Sequence, residues 1–73
     1  MTRDEAIGKA RDAARQAATL AGHAESAAHH SDRQSKVPMY AAAGAVWADT
    51  ARAYAALAAV LPEPATVDET PEV

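Results

Sequence analysis

Ala6, Ala10, Ala13, Ala17, Leu20, Ala24 and Ala27 recur at alternating spacings of four and three, with Ile7, Ala14, Ala21 and Ala28 beside them. Apolar residues in that period share one stripe of an α-helix and pack as the seam of a coiled coil. A seam built almost wholly of methyl groups lets a second helix axis approach closely, yet buries little area per turn. The pattern calls for a helical partner and predicts an all-α chain. Position carries this inference rather than abundance. Alanine accounts for 22 of 73 residues, while phenylalanine, asparagine and cysteine are absent and arginine outnumbers lysine. That bias points to a GC-rich bacterial or phage genome and raises alanine everywhere.

The expected first helix spans about residues 3–29. Its start is a capping box: the Thr2 hydroxyl can accept from the Glu5 backbone N–H while the Glu5 carboxylate reaches back to Thr2. Asp4 and Glu5 also suit the positive end of the helix dipole. The face opposite the alanine seam carries Lys9, Asp12, Arg15, Gln16, Thr19, His23, Ser26 and His30, so the helix is amphipathic with a shallow apolar side. A Glu5–Lys9 pair would support it at i, i+4. Periodicity stops between His29 and Pro38, where Ser31, Asp32, Ser35 and Pro38 supply turn and cap chemistry. The turn is expected over about 30–36, with Ser35 capping a second helix that holds Pro38 in its first turn, because a proline deeper inside would cost a hydrogen bond.

The second helix is expected over about 37–61. Tyr40, Ala43, Trp47, Thr50, Tyr54, Leu57 and Leu61 follow one another at spacings of three and four, flanked by Met39, Val46 and Val60. A stripe of small residues, Gly44, Ala48, Ala51 and Ala55, lies beside this bulky seam and permits a second close contact. Only Asp49 and Arg52 are charged. A helix apolar around most of its circumference is one contacted on more than one side. Residues 62–73 hold three prolines and four acids without a period, which predicts a disordered acidic tail.

Seventy-three residues make one small domain, and without cysteine there is no disulfide to staple it. A lone antiparallel hairpin would leave part of Tyr40, Val46, Trp47, Tyr54, Leu57 and Leu61 in water. At roughly 25 cal/mol per Å², a few hundred Å² of that surface matches the whole stability of so small a domain. Dimerisation into a four-helix bundle is the simplest remedy. The expected interface is Tyr40, Ala43, Val46, Trp47, Thr50, Tyr54, Leu57 and Leu61. An antiparallel pair of second helices centred near Thr50 and Ala51 would bring Asp49 opposite Arg52 of the other copy, although an i, i+3 pair within one helix is the commoner outcome for such residues.

Chemistry beyond assembly is sparse. His23 and His30 lie two turns apart, but no carboxylate sits one turn from either on that face, so no metal ligand set is assigned. Arg3, Lys9, Arg11 and Arg15 could track phosphates, yet Asp4, Glu5 and Asp12 interleave with them and no aromatic residue accompanies them. Two helices provide no cleft in which an acid and a base converge, so no catalytic residue, small-molecule substrate or cofactor is assigned. Asp49 and Arg52 near the middle of the second helix cost about 5 kcal/mol together on insertion scales, which argues against a membrane span. Met1–Glu5 lacks the basic segment and apolar run of a secretory signal, so a cytoplasmic location is expected.

The function expected on these grounds is a non-enzymatic protein–protein interaction module: a homo-oligomeric hairpin acting as adaptor, small regulator or assembly subunit, of phage or mobile-element type. The alternatives are a nucleic-acid-binding hairpin dimer that uses the basic residues of the first helix, and an antitoxin or inhibitor that docks the second helix on a larger protein.

Overall fold

The computed structural model describes residues 1–63; residues 64–73, most of the expected disordered tail, lie outside the described part. Two long helices, α1 (Arg3–Ala28) and α2 (Val37–Val60), pack against each other as an antiparallel hairpin, with no strand among the described residues. Local chemistry sets each boundary. At the start, the Thr2 hydroxyl accepts from the Glu5 N–H at 3.1 Å and the Glu5 carboxylate accepts from the Thr2 N–H at 2.8 Å. The second bond, together with the one from the Thr2 hydroxyl, holds the Glu5 carboxyl below its ordinary 4.5. Glu5 is thereby committed to the cap, and no Glu5–Lys9 ion pair forms among the described residues.

At its other end α1 tightens into i→i−3 bonds from the His29 and His30 N–H groups to the carbonyls of Ser26 and Ala27. The Gln34 side-chain amide then donates to the exposed Ala28 carbonyl at 3.2 Å, closing the turn across six residues. A single 3-10 turn, Gln34–Lys36, leads straight into α2, with Pro38 in the first turn where its missing N–H costs nothing. Ser35 therefore does not cap α2. Ser35 sits inside the 3-10 turn, Lys36 precedes the helix with helix-like backbone angles, and no side chain caps its first N–H groups. A capping side chain needs an extended residue at that point. Leu61 turns extended ahead of Pro62, which stops α2.

Close packing along the pair follows from the alanines. Ala6, Ala13, Ala27 and Ala58 are buried, and Ala10, Ala17, Leu20 and Ala24 are half-buried, so the whole stripe of α1 with four-and-three spacing faces α2. Gly44 lies opposite Ala17 and Leu20: a Cβ placed on it would meet the Leu20 Cβ at 3.5 Å and the Ala17 carbonyl at 3.8 Å. Tyr40 stacks beside His23 with ring centroids 5.4 Å apart. Arg3 reaches Glu63 at 2.8 Å, tying the start of α1 to the chain just past α2. These contacts share one antiparallel register. No large side chain among the described residues is fully buried, so the hairpin has a contact line of methyl groups and no core of bulky residues.

Candidate interaction surface

Each residue advances about 100° around a helix, and on α2 this resolves two stripes with heptad spacing. Tyr40, Gly44, Trp47, Ala51, Tyr54, Ala58 and Leu61 alternate by four and three, and all but Trp47 are buried or half-buried. This inward stripe lies against α1, as the Gly44 and Tyr40 contacts show. Met39, Ala43, Val46, Thr50, Ala53, Leu57 and Val60 form the second stripe, about 100° round the helix from the first. Met39 is 57% exposed, Val46 65%, Leu57 38% and Val60 78%. The bulky seam expected from sequence runs between these two. Tyr40, Trp47, Tyr54 and Leu61 belong to the inward stripe, and Ala43, Thr50 and Leu57 to the outward one. Trp47, 40% exposed, sits on the edge they share.

The sequence sets Met39, Val46 and Val60 beside the bulky seam and counts only Val46 of the three in the expected interface. Met39, Val46 and Val60 instead supply most of the large apolar side chains of the outward stripe, and Ala53 completes its spacing. The signal was present in the unbroken run Met39, Ala43, Val46, Thr50, Ala53, Leu57, Val60. The Thr50 hydroxyl donates to the Val46 carbonyl at 2.9 Å, so the one hydroxyl in this stripe is already satisfied and can be covered without loss. The small residues Gly44, Ala48 and Ala51 are half-buried on the α1 side, so the close contact they permit is largely made within the hairpin.

The two flanks of the hairpin differ in chemistry. On one, alanines of both helices with Gly44 and Tyr40 line an open groove of about 560 Å³. On the other, the outward stripe of α2 adjoins the row Glu5, Lys9, Asp12, Gln16, Thr19 and His23 of α1, all exposed. An apolar strip on α2 thus runs beside a polar rail on α1. Asp49 and Arg52 pair with each other at i, i+3 on the solvent side of α2.

The candidate phosphate-tracking cations do not converge. Arg3 is bound to Glu63 and Arg15 to Asp12, while Lys9 and Arg11 are exposed and about 160° apart around α1. No group of three His, Cys, Asp or Glu among the described residues is arranged to hold a metal ion. No helix among them is long and apolar enough to cross a membrane. No family model, curated protein or solved structure matches the chain.

Proposed function

We propose that the chain is a non-enzymatic protein–protein interaction module that works as a homo-oligomer, two hairpins closing through α2 into a four-helix bundle. The observation that carries this reading is the outward stripe of α2: a three-heptad strip whose large side chains Met39, Val46, Leu57 and Val60 are exposed, on a hairpin that fully buries no large side chain among the described residues. In a four-helix bundle closed through α2, that helix meets α1 on one side and the second copy roughly at right angles to it. The 100° offset between the two stripes of α2 is the offset such a helix needs.

Fully burying a Val, Leu or Met side chain stabilises by about 1.5–3 kcal/mol. Covering the exposed parts of Met39, Val46, Trp47, Leu57 and Val60 on both copies therefore gains about 10 kcal/mol gross. Association costs about 4–15 kcal/mol, so the assembly is concentration-dependent. The polar rail of α1 keeps that helix on the outside. An adaptor, small regulator or assembly subunit needs such a presented surface and nothing catalytic. The groove between the helices offers one tyrosine hydroxyl among methyl groups, and the scattered cations of α1 form no phosphate track.

Sedimentation of the full chain with and without Val46→Glu tests the reading. Dimers should dissociate in the variant, with association weakened about 1,000-fold or more, because two-fold symmetry buries the unpaired charge twice. Ala45→Glu, on the far side of α2, should leave the mass unchanged. A wild-type chain that stays folded and monomeric at every concentration rules out the homo-oligomer.

A further inference from the structure

We infer that the outward stripe of α2 is covered by the α2 of a second copy running antiparallel about a two-fold axis near Thr50, with the orientation set by the opposite charges at the two ends of the hairpin. The inference rests on the self-association proposed above and adds its direction and electrostatic device.

Size is the first ground. Reflected about Thr50, the stripe sets Ala43 toward Leu57 of the second copy, Val46 toward Ala53 and Met39 toward Val60. Small thus faces large in the inner layers, and two large side chains, Met39 and Val60, close each end. Interdigitation of this kind fills the space between two helices without voids. A parallel pairing stacks each layer on itself, alanine on alanine and leucine on leucine.

Charge is the second ground. The turn end of the hairpin carries Arg33 and Lys36, with His29 and His30 beside them and Asp32 as its one acid; all are exposed. Among the described residues no ion pair involves Arg33 or Lys36. At the opposite end the described acids are Asp4, Glu5 and Glu63, all exposed, of which Glu63 pairs with Arg3. Within one hairpin these two ends are separated by the length of α2, about 36 Å. In an antiparallel dimer the basic turn of each copy lies at the same end as Asp4 and Glu5 of the other. A parallel dimer brings turn to turn and acid to acid, and like charges so placed select against it.

The protein has no cysteine among the described residues and none in its sequence, so single cysteines report orientation cleanly. A disulfide needs Cα atoms within about 7 Å. Under mild oxidation Thr50→Cys should give a covalent dimer. Met39→Cys should not, because the two copies of that position lie about 33 Å apart. Mixing Met39→Cys with Val60→Cys should give the crossed pair. Changing both Arg33→Glu and Lys36→Glu should weaken dimerisation roughly tenfold at low salt and have little effect at high salt. Ready self-crosslinking of Met39→Cys in a dimer of normal mass overturns the antiparallel orientation and leaves the interaction module standing. A chain that is monomeric by sedimentation and crosslinks in none of these variants overturns both, and assigns the stripe to a different protein.

Discussion

The two helices of the hairpin are almost equal in length and both rich in alanine, yet they play different parts. In α1 one stripe is turned toward α2, the exposed Ala14, Ala18, Ala21 and Ala28 run along one side of it, and most of the remaining circumference is polar. From Met39 onward the large apolar residues of α2 occupy two stripes, of which α1 covers one. A helix with a single narrow seam has one partner; a helix with two seams a quarter-turn apart has two. The contrast puts the uncovered large apolar side chains on α2, between Met39 and Val60.

Substitutions on the two stripes of α2 should sharpen that contrast. The largest effect is expected on the outward stripe. Leu57→Glu should abolish association and lower the melting temperature by more than 10 °C, because the fold loses its added burial and its linkage to the second copy. The inward contact is sensitive to size rather than to charge alone. Ala13→Leu, at a position 2% exposed, should push the helix axes apart and cost about 1–3 kcal/mol in a urea titration. If Ala13→Leu proved harmless, α1 and α2 would not be packed on their alanines.

Gly44→Ala sits between the two cases. The added methyl would meet Leu20 at an ordinary van der Waals distance, while alanine gains about 1 kcal/mol over glycine inside a helix. Melting should therefore rise by about 4–8 °C. A loss of stability would show that the helices approach more closely than this register permits. Thr2→Ala, by removing the cap of α1, should cost about 1 kcal/mol in the same assay and leave the oligomeric state alone.

The smallest effect is one of pH. The Glu5 carboxyl is held below 4.5 by the Thr2 N–H and hydroxyl. A depressed carboxyl contributes stability that is present above its unfolded value and lost as pH falls through its folded value. Helicity near the start of α1 should therefore fade on acidification below about 4.5 in the wild type and less so in Glu5→Gln. An amide-resolved NMR titration reads the two side by side.

Much of the fold was legible in the residues. The capping box, the alanine stripe and the two prolines bracketing α2 point to two helices packed against each other, and the packed hairpin follows. What was not legible was the phase of α2. Its apolar residues cover most of the circumference, so sequence alone allows several seams, and the bulkiest one runs between the two stripes the structure resolves. Contact with α1 was won by Gly44, Ala51 and Ala58, because small residues let the axes come close and large ones then fall to either side. That choice depends on the shape of α1, which the pattern of α2 does not contain. The Arg3–Glu63 pair was hidden for a related reason: it depends on the register of two helix ends distant in sequence. The Gln34 bond to Ala28 spans a turn whose path the Ser31-to-Ser35 chemistry left open.

If the hairpin draws its stability from a second copy, as proposed, thermal melting of the full chain across a hundredfold range of concentration will show it. Unfolding linked to dissociation makes the midpoint depend on concentration. With the usual enthalpy per residue, it should climb by ~5 °C for each tenfold increase. A midpoint that stays constant across the range, with full helicity at the lowest concentration, would mean that the hairpin is stable alone.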